Sequence, residues 1–394
     1  MEDESKRIAN RGYKMKAAAC LLLIALAFAT CRQNIEPIDK QIELLHLETL
    51  PEVVHPSNNP LSPEKRNLGK MLFYDPILSG NKDITCVTCH LPNHGYTDGI
   101  DLSIGVGGVG QSTNRVDKTN GRIPILERNS PTIVNVAFNG MISGSQYYDP
   151  LLAPMFWDGR KISLENQCIG PPTTFNIMRG DGYSAALTYD SIIARLQQIP
   201  EYDVLFTAAF GVPGSITKDN IAKAIAAFER TIISVNSPYD RYVKGDNNAL
   251  TANQKSGLQL FYTKANCVNC HSGPMFSDYN YYNLGIAYNS KTPIPDKGVA
   301  NKFLFRTPSL RNIALTSPYM HNGIFSTLED VMGHYILASS NNPDIAVVDP
   351  KIQKLNLSDA EVSSIIEFLN ALTDDSYDQE IPGNVPSGLK PGGN

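Results

Sequence analysis

Apolar positions along the chain fall into a few helical patterns separated by long stretches with no period. The first feature is a 13-residue apolar run, Ala17 to Ala29, shorter than a bilayer span and of the length found in the hydrophobic region of a secretory signal. A polar stretch over 32–60 reads as a tether. Ser62-Pro63 then supplies a helix N-cap with proline at the first helical position, and Leu68, Met71 and Leu72 share one face behind it. Between Leu91 and Pro172 the chain is rich in Gly, Pro, Asn and Ser, with neither a period of 2 nor one of 3.6, which reads as loops wrapped around a cofactor. Helical spacing returns at Tyr189 to Gln198 and at Asn220 to Ile233, where Ile221, Ile225, Phe228 and Ile232 recur.

Asp240 to Leu250 reads as a linker between two domains, 61–245 and 246–375. Thr251-Ala-Asn-Gln254, Ser326-Thr-Leu-Glu329 and Ser358-Asp-Ala-Glu361 are capping boxes. The last opens an amphipathic helix through Val362, Ile365, Ile366, Leu369 and Leu372. The Gly/Pro-rich segment 376–394 reads as a flexible tail. The fold class implied is mainly α, with long ordered loops.

Composition narrows the functions. The 394 residues carry a net charge of −5 and are 42% hydrophobic and 19% charged, so no basic excess is available for nucleic acid or an anionic membrane surface. No other run approaches eighteen apolar residues, so no membrane-spanning helix is expected. Ala29-Thr30-Cys31 resembles the lipobox of bacterial lipoproteins, with Phe28 bulkier than usual, and implies a signal peptide over 1–31, export and a lipid anchor on Cys31. Met15-Lys16 would begin a more compact signal than Met1, because the acidic residues of 1–13 precede it.

Of seven cysteines, Cys20 and Cys31 lie in this leader, and four form C86-V-T-C89-H90 and C267-V-N-C270-H271. C-x-x-C-H is the pattern of covalent c-type haem attachment: both thiols and the imidazole share one face of a helical turn, so the thiols add to the porphyrin vinyls while His90 or His271 approaches iron. A four-cysteine zinc site leaves the two histidines unexplained, and a disulfide across two residues would be strained. Cys168 remains as a small buried hydrophobe. The preludes G-K-M-L-F-Y and G-L-Q-L-F-Y before the two motifs imply duplication. The glycine run G105-V-G-G-V-G110 has no preceding strand or following helix and is not a nucleotide loop.

The ordered motifs L-G-K-M-L-F-Y-D-P-I-L-S, C-V-T-C-H, G-Y-T-D-G, R-N-S-P-T, F-W-D-G-R, C-V-N-C-H-S-G-P and F-R-T-P-S-L-R-N-I-A-L-T-S-P-Y-M-H-N-G resemble the bacterial di-haem cytochrome c peroxidase and MauG family over about Leu61 to Leu372. The resemblance implies two cytochrome-c-like haem domains, an N-terminal haem that reacts with peroxide, a C-terminal electron-transfer haem, and a calcium ion between them. His90 and His271 are then the proximal iron ligands. The family's switch histidine after S-I-G is replaced by Val106, which implies a first haem with an open face; His94 is read as a loop residue. At the family's distal methionine position stands Tyr335, with Met332 three residues earlier on the same helical face as the alternative ligand. Thioether ligation would raise the haem potential and a phenolate would favour higher oxidation states; packing both side chains in the core is the plain alternative.

Trp157, the single tryptophan, matches the family's bridge between the haems, although a lone Trp is by itself an ordinary core residue. Gln167 matches the family's pocket glutamine, while Ile177 stands at the position of the family's acid–base glutamate, so that either Asp181, Glu165 or a water chain substitutes or turnover is slow. Asn129, Thr316 and Pro318 match the calcium positions, which are oxygen donors suited to that ion. Three readings follow: peroxide reduction with a small donor such as a cytochrome c or a cupredoxin, in a periplasmic protein for which a homodimer is one option; a MauG-like oxidase of a partner protein; and a non-enzymatic electron carrier.

Overall fold

The computed structural model describes residues 37–394 apart from 146 and 293, so the leader, Cys31 and its lipobox lie outside the described residues. Of these, residues 37–45 belong to a separate unit and hold a short helix, α1 (Ile38–Glu43). Residues 46–394 form one compact unit. The stretch read as a tether is therefore anchored in its second half: Asn59 is buried, and its side-chain amide donates to Glu165 and to the Lys223 carbonyl.

The larger unit is mainly helical, as expected, and its helices repeat one arrangement. In the first half α2 (Pro63–Tyr74) begins where Ser62 caps it, with the Ser62 Oγ accepting from the Lys65 amide at 3.1 Å. Short helices α3 (Leu164–Cys168) and α4 (Gly170–Thr173) lead to α5 (Thr188–Gln197), α6 (Pro200–Phe210) and α7 (Lys218–Glu229). After α8 (Pro238–Val243), the second half holds α9 (Ala252–Tyr262), α10 (Leu328–Leu337) and α11 (Asp359–Asn370). The boxes at Thr251 and Ser358 form as expected. That of α10 is shifted by one residue: Thr327 and Asp330 exchange the bonds, because Thr327 has the extended backbone a cap needs.

Gly69 of α2 and Gly257 of α9 occupy the same place in the two preludes, and both mark a close helix crossing. A Cβ on Gly69 would lie 1.9 Å from the Ala224 carbonyl oxygen on α7; one on Gly257 would lie 1.8 Å from that of Ser364 on α11. Asn135 and Asn312 repeat as well, each left-handed, with φ of 61° and 60°, ahead of a 3₁₀ turn. Aromatic rings fill both crossings, Phe73 against Phe228 in one and Phe261 against Phe368 in the other.

Between these helices run long loops with two-residue antiparallel ladders: β1 (Gly108–Val109) with β2 (Val116–Asp117), β3 (Pro154–Met155) with β4 (Lys161–Ile162), and β5 (Tyr281–Tyr282) with β6 (Phe305–Arg306). Two expectations are corrected. The supposed linker starts inside α8, where the Asp240 carboxylate is buried against Arg311 at 3.0 Å, so the connection is part of the core. The supposed tail 376–394 is ordered against the first half: Tyr377 and Val385 are buried in its core, and the Ser387 hydroxyl donates to Asp75 at 2.6 Å. Hydrophobic periodicity could not reveal that packing because the segment is held by single residues and backbone bonds. Among the described residues no helix is long and apolar enough to cross a membrane.

Replacing Gly69 or Gly257 by Ala forces two backbones apart. Each substitution is expected to cost about 1–3 kcal/mol, as overpacked cores do, read by denaturant unfolding of the haem-loaded protein.

Candidate haem sites and the bridge between them

The two attachment turns share one local solution. Cys86–Thr88 and Cys267–Asn269 are 3₁₀ turns, and His90 and His271 donate their amides to the Cys86 and Cys267 carbonyls at 3.1 and 2.9 Å. In each case the imidazole Nδ1 lies on a carbonyl, Tyr96 O at 3.0 Å for His90 and Phe276 O at 2.9 Å for His271. A ring that donates Nδ1–H keeps the Nε2 lone pair for a metal. Burial lowers both histidine pKa values, so the ligand-competent neutral form prevails. The four motif thiols are unpaired and burial raises each of them, so they stand as neutral thiols. These residues fit two covalent haems.

In the second half, His271, Cys267 and Cys270 open onto a cavity of about 670 Å³ that Met332 and Tyr335 of α10 also line. Both ligand candidates thus face one space. Tyr335 is half-buried and Met332 nearly closed off; burial raises the Tyr335 phenol, so an uncoordinated Tyr335 stays protonated. Asn129, Thr316 and Pro318 line the same cavity. The Asn129 amide nitrogen is turned to the Ile100 and Asp101 carbonyls, which leaves its side-chain oxygen as a donor of the kind a hard cation takes. Among the described residues no group of three or more His, Cys, Asp or Glu side chains could hold a metal.

In the first half, Gln167 sits half-buried on α3, one residue before Cys168, whose thiol lies 3.9 Å from Glu229 and within electrostatic range of Cys86. Val106 is buried: its amide donates to the Asn176 carbonyl, and its side chain packs against Gly180 at the end of the Phe175–Arg179 π-turn that carries Ile177. Neither suggested acid is free. Glu165 is held in a two-pronged pair with Arg230 at 2.6 and 2.9 Å, and Asp181 is an exposed partner of Arg122. Both readings of a substitute acid are therefore corrected, Glu165 by ion pairing and Asp181 by its place in solvent. His94 lies in the short Pro92–His94 turn, as the loop reading expected.

Trp157 joins the halves. Its Nε1–H donates to the Asn129 carbonyl at 2.9 Å, its own carbonyl accepts from Arg306 N at 2.7 Å, and it lines the cavity of His271. Ser130, next to Asn129, donates to the Cys89 carbonyl and lies 3.4 Å from His90 Nδ1. A contact path thus runs from His90 through Ser130, Asn129 and Trp157 to the second cavity. Arg128 braces it, bridging Asp158 at 2.7 Å and Asp296 at 3.0 Å. His321 stacks on Phe305 with centroids 3.6 Å apart; burial pushes its pKa down to about 3, so it stays neutral.

Ser130 and Tyr96 stand inside the motifs R-N-S-P-T and G-Y-T-D-G, but only the fold assigns them contacts. Glu229 carried no signal at all, since it sits in a regular helical pattern. Burial pushes its carboxyl up to about 8, against the lowering effect of Arg230.

Two c-type attachment turns, each presenting a neutral, half-buried histidine and joined through a tryptophan, define a di-haem redox protein. The chain belongs to the di-haem cytochrome c peroxidase family: residues 63–248 match its family model, and the homologues agree. It is 34% identical to the methylamine utilization protein MauG of Methylorubrum extorquens over 324 residues, 81% of either chain. It is 32% identical to the cytochrome c551 peroxidase of Pseudomonas aeruginosa over 364 residues, 89% of this chain and 90% of that one. Among solved structures, a MauG-like protein associated with microbial copper homeostasis superposes with a TM-score of 0.69 at 30% identity, covering 84% of this chain and 95% of that one. The chain is accordingly an oxidoreductase of the cytochrome c peroxidase type carrying two haems.

A folded-state pKa raised above the unfolded one gives stability that is full below the unfolded carboxylate value and lost as pH rises through the folded value. Glu229 should therefore cost stability as pH rises from about 4.5 towards 8. In Glu229→Gln that decline is expected to shrink by a few kcal/mol, at about 1.4 kcal/mol for each pH unit between the unfolded and folded values, measured by denaturant unfolding at pH 5, 6.5 and 8.

Proposed function

We propose that this protein is an exported, periplasmic peroxidase that reduces hydrogen peroxide to two waters, taking two electrons from a small redox protein such as a cytochrome c or a cupredoxin and two protons from solvent. The observation that carries this reading is the His90–Ser130–Asn129–Trp157 path into the second cavity, which suits one site for peroxide and another for electron entry. In this reading residues 61–245 and 246–375 are the two cytochrome-c-like domains, and a lipid on Cys31 tethers them to the membrane.

When bound, the two haems supply the redox chemistry. Cys86, Cys89 and His90 hold the first, and Cys267, Cys270 and His271 the second, with the neutral imidazoles fixed by the Tyr96 and Phe276 carbonyls. Tyr335, which lines the cavity of His271, is the further residue that would hold the second haem. Asn129, Thr316 and Pro318 would hold calcium, whose charge would stiffen the Asn129 carbonyl that orients Trp157. The Gln167 amide would orient peroxide. Val106, packed against Gly180, leaves peroxide access free of a switch histidine. Ile177 cannot move a proton, so the general acid–base contribution of about 10²–10⁴-fold is missing and turnover should be slow.

A MauG-like oxidation of a partner protein is the second reading, favoured by Tyr335 facing the cavity beside Met332. Electron paramagnetic resonance of the fully oxidised protein, before and after one equivalent of peroxide, tests the open site: one high-spin haem should react without prior reduction. Two unreactive low-spin haems would overturn it. Peroxide-dependent oxidation of a reduced cytochrome c well above that of free haem then supports the peroxidase, and its absence despite peroxide reactivity supports the oxidase.

Trp157→Phe removes the Nε1–H bond to Asn129 and the easily oxidised ring. Stopped-flow reduction is expected to show inter-haem transfer slowed at least about tenfold, the scale of a lost outer-shell partner; an unchanged rate would take Trp157 out of the path.

A further inference from the structure

Segment 373–394 leaves the second half and grips the first at the places that hold His90. It is anchored at its start: Asp374 N donates to Asn312 Oδ1 at 2.7 Å, and the Asp374 carboxylate accepts from Asn236 N at 2.8 Å. The chain then crosses α2, where the Asp378 carboxylate pairs with Arg66 at 2.7 Å and Lys70 at 3.0 Å. The Asp378 carbonyl accepts the Tyr96 hydroxyl at 2.6 Å, and the Tyr377 ring packs on that of Tyr96 at 5.7 Å while its hydroxyl donates to Pro92 O. Tyr96 is the residue whose own carbonyl holds His90 Nδ1.

Further along, the segment reaches the attachment turn and the loop behind it. Gly392 donates its amide to Tyr74 O at 2.8 Å and lies against Val87, between the two motif cysteines. A Cβ on Gly393 would sit 2.2 Å from Asp83 O, so only glycine fits there, and its φ of +72° also favours glycine. Asn394 O accepts from Arg115, whose guanidinium also binds the carbonyls of Ile104, Gly105 and Gly110. That loop contains Val106.

We propose that 373–394 is a positioning strap by which the second haem's half holds the His90 turn, its Tyr96 carbonyl and the Ile104–Gly110 loop in one arrangement, keeping the first haem ready for peroxide. Asp378, Tyr96 and Gly393 are its positioning residues. Asp378 and Tyr96 act on the first site through the backbone that holds His90, and Gly393 through Asp83, three residues before Cys86; none of the bonds named reaches the His271 turn. The strap rests on the assignment of His90 to the first haem, and its effect on that haem can be read whether or not the protein is a peroxidase.

The test uses haem-loaded full-length Tyr96→Phe and Gly393→Ala, with a chain ending at Asp375 as the severe case. Midpoint potentials of both haems by spectroelectrochemistry, and the resting paramagnetic spectrum, are compared with the parent. The first haem's potential and signals are expected to shift in all three, the second haem's to stay, and the rate of peroxide reaction to fall about tenfold, the scale of a disturbed outer-shell partner. If the shortened chain loses haem, the two full-length variants decide. First-haem potential and spectrum equal to the parent's in both, or equal shifts of both haems, would overturn the strap. An unreactive parent whose first haem still shifts in the variants would sink the peroxidase reading and leave the strap standing.

Discussion

The bond from each histidine Nδ1 to a backbone carbonyl six or five residues on, Tyr96 for His90 and Phe276 for His271, is the constraint around which the molecule is arranged. It selects the neutral tautomer with Nε2 free, and it does so only if the loop after each attachment turn is held still. Loops without a hydrophobic period cannot hold themselves, so the surrounding elements do it: buried aromatic rings beneath, hydrogen-bonded hairpins beside, and the second half's trailing segment across the first.

The same scheme appears twice but is completed differently. Gly69 and Gly257 allow equal helix crossings, and Asn135 and Asn312 make equal left-handed turns. The second turn opens onto a cavity that Met332 and Tyr335 line, whereas Val106 and Ile177 pack in the core of the first half. The repeated frames thus differ in the residues set around the attachment turns. Charges are paired across the join, Arg128 with Asp296 and Arg311 with Asp240, and Arg128 also holds Asp158 within the first half, each partly or wholly out of water. Removing one member would strand a buried charge, so these pairs fix the relative placement of the elements more than they add net stability.

Family membership and chemistry agree about iron and disagree about protons. The residues that would hold two haems are present, while Ile177 stands where the resemblance places the acid–base glutamate, Glu165 is paired with Arg230, and Asp181 lies in solvent beside Arg122. In the reading proposed above, an electron path kept without that glutamate suits slow, long-lived oxidising states more than rapid turnover. That balance bears directly on the choice between peroxide reduction and oxidation of a partner protein.

The attachment cysteines, both histidines, the helix caps and the duplicated preludes were legible in the sequence because local spacing determines them: three or four residues on one helical turn settle which side chains meet. The family motifs also marked Trp157 and Tyr335 as candidates. Tertiary structure alone decided what those residues touch, that α8 belongs to the core, that 376–394 is folded, and that Glu229 is a neutral buried acid. These depend on contacts between positions far apart in the chain, many made by backbone atoms or single side chains, and neither periodicity nor composition records such contacts.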